Sequence, residues 1–139
     1  MIIERFGATY NAAYVFSRAG EVDTWSITRP PQAARVGALP GAFDFYGDTN
    51  YPYASITARK SMLVTGATYA AVQTAIDALK AATIDLGVES RLWLLLRDGA
   101  TQYLKAKCVS LKISDQAGQI YFIRAEVEFF SRDAIAHFT

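Results

Sequence analysis

Apolar and polar residues alternate with a period of two along much of the chain. Trp25 and Ile27 interleave with Thr24, Ser26 and Thr28, which predicts a strand with one face packed inward and the other solvated. Short runs of the same kind predict strands over 2–6, 13–18, 23–28 and 54–64. Ala19-Gly20 separates the second from the third and predicts a hairpin between them. The period then changes. Val72, Ile76, Leu79 and Thr83 recur at helical spacing beside a smooth ridge of Ala71, Ala75, Ala78 and Ala82, predicting one helix over about 68–85 that can lie close against a sheet. Gly66-Ala67-Thr68 precedes it, where a threonine can accept a bond from an unpaired N–H, and Gly87 suits a left-handed stop.

The remainder predicts a three-stranded antiparallel meander. Asp98-Gly99 lies between Arg91–Arg97 and Ala100–Ser114, a two-residue hairpin signal, and 115–118 turns the chain into Gln119–Ser131. In the middle strand the apolar set shifts from Leu104, Ala106 and Cys108 to Val109, Leu111 and Ile113, so a β-bulge is expected near Cys108. The last strand is expected to bury Tyr121, Ile123, Ala125, Val127 and Phe129, with Arg124, Glu126 and Glu128 pointing the other way. Ile120 and Phe122 interrupt that polar face. They are expected to rest under the helix or to meet a neighbouring subunit.

From 29 to 53 neither period holds. All four prolines, Pro30, Pro31, Pro40 and Pro52, fall here and deny the segment regular pairing. Yet it carries Phe43, Phe45, Tyr46, Tyr51 and Tyr53, whereas disordered segments are poor in aromatics. A long irregular loop that needs burial is therefore expected. One reading folds it over its own domain. The other presses it against a second subunit, since tyrosine and phenylalanine are enriched at interface cores. Burying even half of that aromatic surface would stabilise a contact by several kcal/mol at about 25 cal/mol per Å².

Composition narrows the partners. The 139 residues fit one domain, 1–139, and hold 14 Lys plus Arg against 13 Asp plus Glu, too balanced a charge to attract nucleic acid or anionic lipid from afar. At 52% apolar and 19% charged the chain is rich for its size, so part of its surface is expected to meet protein. No apolar run is long enough to span a membrane, and no secretory h-region opens the chain.

No motif names a reaction. Asp44, Asp48 and Asn50 could offer oxygens to a calcium ion, but their spacing misses the EF-hand pattern and they serve equally as turn formers. His137 is the single histidine, near the C-terminus, with no local nucleophile motif beside it, and reads as an exposed terminal side chain. Cys108 alternates with Leu104 and Ala106, which makes it a core residue rather than a reactive thiol. The segment 37–41 lacks the lysine of a phosphate-binding loop. No catalytic residue, cofactor or metal is expected.

The order of elements, closing on Val127-Glu128-Phe129-Phe130-Ser131-Arg132-Asp133, resembles the N-terminal domain of siphophage distal tail proteins and, more loosely, phage tail-tube proteins. Members often follow that aspartate with proline, whereas Asp133 here precedes Ala134. No carbohydrate-binding-like second domain follows, so no host-sugar contact is expected. The resemblance implies a mainly β (α+β) fold, a β-sandwich or split barrel with one flanking helix. It also implies a structural virion protein whose copies, six in number, close a ring between tail tube and tail tip or baseplate hub. Its partners would be itself, the tube protein and the tip proteins, with DNA only as passing cargo. Such a ring needs two different patches per subunit. Arg35, Phe43, Phe45, Tyr46, Tyr51 and Tyr53 are expected in one, Ile120 and Phe122 in the other. A tail-tube or tail-terminator subunit is the alternative within assembly proteins. From another class comes a small-ligand binder or hydrolase with the aromatic loop as a lid.

Overall fold

The structure is a computed structural model that describes residues 2–28, 33–34, 43–44, 55–114, 121–132 and 137–138. In chain order the elements are β1 (Ile2–Phe6), β2 (Tyr14–Val15), β3 (Val22–Thr28), β4 (Ala33–Ala34), β5 (Phe43–Asp44), β6 (Ser55–Thr65), helix α1 (Tyr69–Ala82) with a 3-10 turn at Ile84–Leu86, β7 (Ser90–Leu95), β8 (Thr101–Ser114), β9 (Phe122–Ser131) and β10 (His137–Phe138). The main strands follow one antiparallel path, β2-β1-β7-β8-β9-β6-β3, with β10 added to β8.

The long strand β8 gives this path its shape. Its first half, Thr101 to Ala106, pairs with β7, and its second half, Lys107 to Ser114, pairs with β9. The register slips between Cys108 and Ser110, the bulge expected from the shifted apolar set. A bulge bends and twists its strand, so β8 serves two sheets. The first holds β2, β1, β7 and the start of β8; the second holds the end of β8, β9, β6 and β3.

Their inner faces meet. Phe129 of β9 is fully buried, its ring centroid 4.8 Å from Phe6 of β1 and 5.8 Å from Phe16. Around it lie Ile3, Leu92, Leu94 and Leu104 from one sheet and Ala58, Met62, Ala125 and Val127 from the other. Fully burying one such large side chain is worth roughly 1.5–3 kcal/mol before entropy is counted. Helix α1 adds Val72, Ile76 and Leu79 to the same core, the expected face, and leaves Ala71 and Ala78 in solvent. Its start is capped as expected, with the Thr68 hydroxyl accepting from Ala71 N–H at 3.1 Å. Gly87 ends the following turn at φ 65°, a conformation that costs other residues about 1–2 kcal/mol. The fold is thus mainly β, two packed sheets with one flanking helix.

Four local expectations are corrected. The segment 13–18 forms only the two-residue β2, which pairs with β1, while β3 pairs with β6, so no hairpin joins 13–18 to 23–28. The intervening residues cross from sheet to sheet: Phe16 N–H donates to Glu4 O and Leu63 N–H to Ala19 O. Gly20 at φ 58° turns that crossover, and a hairpin would ask for the same local conformation. The second correction is at 97–99. There Leu96 N–H donates to Ala100 O and Gly99 N–H to Leu96 O, so the loop has three residues with Gly99 at φ 85° rather than two.

Third, Tyr121 and Ile27 are exposed at 58% and 67%. Tyr121 precedes the first paired residue of β9, and Ile27 sits on the outermost strand, so the alternation continues past the ground that the core covers. Fourth, the 29–53 interval holds a two-residue ladder, Ala33↔Asp44 and Ala34↔Phe43, placed clear of all four prolines.

Candidate assembly surfaces

The outer face of the first sheet is closed by its own chain. Trp93 points outward from β7 yet is 3% exposed. Its indole N–H donates to Gly7 O at 3.0 Å, Tyr10 meets its ring edge-on at 5.4 Å, and Tyr103 lies at 5.1 Å. Two guanidinium groups complete the cover: Arg5 stacks 4.0 Å over Tyr10, and Arg91 lies 4.4 Å over Tyr103. Gly7 makes the return of this segment possible, because a Cβ there would lie 2.8 Å from Ala13 Cα. Glu4 anchors the far side, its Oε1 accepting from Tyr10 O–H at 2.9 Å and from Arg5 Nε at 3.3 Å. The bond to Glu4, with burial and the Glu4 charge, pushes the Tyr10 hydroxyl up from its ordinary value while Arg5 pulls it back in part.

The second sheet is built differently. Its outer face carries Thr24 and Ser26 from β3, Thr57, Arg59 and Ser61 from β6, and Arg124, Glu128 and Phe130 from β9. Arg59 Nε meets Glu128 Oε2 at 3.1 Å across one register row, and beside it a shallow groove of about 310 Å³ is lined by Thr24, Trp25, Ser26 and Thr57. Neither edge of this sheet has a strand partner among the described residues, although the 3-10 turn at Ile84–Leu86 lies against β8. Among the described residues no strand pairs with β3 on the side away from β6, and none pairs with Lys107–Ser114 on the side away from β9. β3 keeps register with β6 over Val22–Thr28 and contains no proline, lysine or bulge, and its one charged residue, Asp23, points inward to Lys60.

Where the sheets come together at one end lies a buried ionic cluster. Lys60 is 0% exposed, since the alternation of β6 turns it inward with Ile56, Ala58, Met62 and Val64. Its Nζ donates to Glu21 Oε2 at 2.6 Å and Asp23 Oδ1 at 3.1 Å, Asp23 being its direct register partner. Asp23 Oδ2 accepts from Ile3 N–H at 2.9 Å, and Arg18 Nε meets Glu21 Oε1 at 3.2 Å. Burial pushes the Glu21 carboxyl up, but its bonds to Lys60 and Arg18 and their charges outweigh this and hold it below the ordinary value. Sequence reading missed this cluster. A signal was present, because Lys60 is the one charged residue on the apolar phase of its strand.

Of the residues expected at subunit contacts, Phe122 is 39% exposed on the outer face of β9, and Phe43 is part of β5. Arg35, Phe45, Tyr46, Tyr51, Tyr53 and Ile120 lie outside the described residues, as do Asp48 and Asn50 of the calcium alternative. His137 does not end the chain as a free terminus: its backbone pairs in β10 with Tyr103 of β8. Cys108 is buried, burial pushes its thiol up, and Sγ donates weakly to Ser110 O at 3.6 Å. Among the described residues no three His, Cys, Asp or Glu side chains converge as a metal site would require, and no helix is long and apolar enough to cross a membrane.

Two solved structures share the arrangement. A chain in the virion of a native gene transfer agent (GTA) particle aligns with a TM-score of 0.57 at 9% identity, covering 98% of this chain and 95% of that one. A chain in the tail of an empty GTA particle, from a helical refinement with C6 symmetry, aligns with a TM-score of 0.55 at 11% identity over the same shares. At these identities the likeness is one of fold. No protein-family model matches the sequence, and no curated protein does.

Proposed function

We propose that the chain is a structural subunit of a phage-type tail, closing head to tail into a sixfold ring at the distal end of the tail tube. There the ring joins the tube to the tip and leaves a passage for DNA. The observation that carries this reading is the fold likeness, over nearly the whole of both chains, to a chain in a C6-symmetric tail. The open edges of the second sheet supply a means of closure. β3 and the end of β8 lie at opposite sides of one sheet, so β3 of one copy can pair with β8 of the next, and a head-to-tail contact that closes by rotation makes a ring. The aromatic 29–53 interval follows β3 directly in sequence and would extend that patch with Phe43, Phe45, Tyr46, Tyr51 and Tyr53. Its work is structural, and no catalytic role is included.

A tube subunit is the second reading, favoured by the helical refinement of the matched tail. Negative-stain images of the purified protein with its tail partners separate the two, since a distal ring stops after one or two layers and a tube stacks without limit. Ser26→Lys on β3 and Ile113→Lys on β8 are expected to abolish rings with little change in monomer melting, because a lysine on a strand edge opposes pairing. Light scattering that shows only monomer at high concentration with partners present would overturn the reading.

A further inference from the structure

The Lys60 cluster has a place in the fold that its chemistry alone does not require. Among the described residues, the outer edge of β1 has no strand partner beyond the short β2, whose ladder covers Arg5 and Phe6. At Ile3 the acceptor that a strand would supply is instead the Asp23 carboxylate, reaching from β3 at the other end of the sheet path. One side chain therefore joins the two ends of the path. Asp23 in turn is held by Lys60, and Lys60 by Glu21, whose outer oxygen takes Arg18.

A buried ammonium left without its carboxylates, or the reverse, is strongly unfavourable. The remaining groups around the cluster do not compensate for a lost member. In the same register row β9 offers Val127 and β8 offers Leu111, both apolar. On β1 the adjacent Glu4 and Arg5 are engaged with each other and with Tyr10. On β6 the neighbouring Arg59 faces outward to Glu128.

We propose that Lys60, Glu21 and Asp23 form an acid-sensitive latch that ties β1 to β3 and holds the β3 edge in the shape that pairs with the next copy. The last part rests on the ring reading above; the tie between β1 and β3 does not. Acid that neutralises the carboxylates removes the counter-charge from Lys60 and leaves Ile3 N–H only the weaker acceptor of a neutral carboxyl, and the two ends of the path part while the Phe129 core persists.

The Ile3 amide reports the latch directly. In NMR spectra of the wild-type protein its proton shift is expected to follow a single acid transition, absent in Asp23→Asn. In Lys60→Met the midpoint is expected to move to higher pH, since the ammonium that holds the Glu21 carboxyl below its ordinary value is gone. Should Lys60→Met fold poorly, Glu21→Gln, at the more exposed end of the cluster, is expected to shift the midpoint while leaving the Asp23–Lys60 pair. An Ile3 amide insensitive to acid, or a midpoint that neither variant moves, would overturn the latch. In parallel, the fraction of rings by light scattering should fall with the same midpoint as the amide. A ring fraction that stays flat across that transition overturns the link to assembly, whereas rings absent at every pH count against the ring reading and leave the amide result to decide the latch.

Discussion

The two sheets share a core but treat their outer faces in opposite ways. On the first, a large aromatic residue is sealed by the chain itself: Trp93 has a bonded indole N–H, two tyrosines and two arginines around it. On the second, Phe122 and Phe130 remain 39% and 38% exposed among serines, threonines and charges, and among the described residues neither edge has a strand partner. A monomer gains stability from finishing a face. A face left unfinished costs solubility, and natural sheets usually blunt such edges. The β8 edge has a bulge and Lys107 and Lys112, whereas β3 has neither bulge nor lysine, so it is the β3 edge that points to a partner. The contrast therefore sets a side finished by its own chain against the side on which the proposed ring contact lies.

Substitutions on the two faces should behave accordingly. The largest effect is expected for Trp93→Ala, about 3–5 kcal/mol in denaturant unfolding, because the cavity opens under a covered side chain. If this costs no more than a change at Phe130, the contrast fails. Tyr10→Phe sharpens it. Glu4 Oε2 is buried with no partner among the described residues, so removing the hydroxyl that serves Oε1 is expected to cost about 1–2 kcal/mol.

The pH response separates the two regions further. Tyr10 has a raised folded value, so the stability it contributes is complete below 10.0 and is lost as pH rises through that folded value. Glu21 has a lowered folded value, so its contribution is complete above 4.5 and is lost as pH falls through it. Stability measured from acid to alkali should decline at both ends, with Tyr10→Phe removing part of the alkaline decline and Glu21→Gln part of the acid one. The smallest effect is expected for Phe130→Ser, within about 0.5 kcal/mol for the monomer, since that ring is already partly in water. A large loss there in a monomeric sample would mean the second face is finished after all.

Much of this architecture is legible residue by residue. The helix follows from Val72, Ile76 and Leu79 with Thr68 at its start, and Gly87 stops the 3-10 turn that follows its end at Ala82, because helix period and caps are local properties. The bulge near Cys108 is visible as a slipped apolar phase. The proposed assembly surface is less so. Phe122 stands out as an apolar interruption of a polar face, but the open edges do not, since a strand's sequence does not state how many neighbours it will have.

What the sequence determined by itself was the set of elements and their inward faces, since alternation, capping and turn chemistry act over a few residues. Only the tertiary structure decided which strands are neighbours. Gly20 permits a hairpin and a crossover equally, and the choice fell to Phe16 and Phe129 packing across the two sheets. The same holds for Lys60, whose inward phase is readable but whose carboxylate partners come from residues 37 and 39 positions away in the chain. Long-range packing sets such pairings, because their energy arises only when distant segments are brought together, and no local rule carries that information.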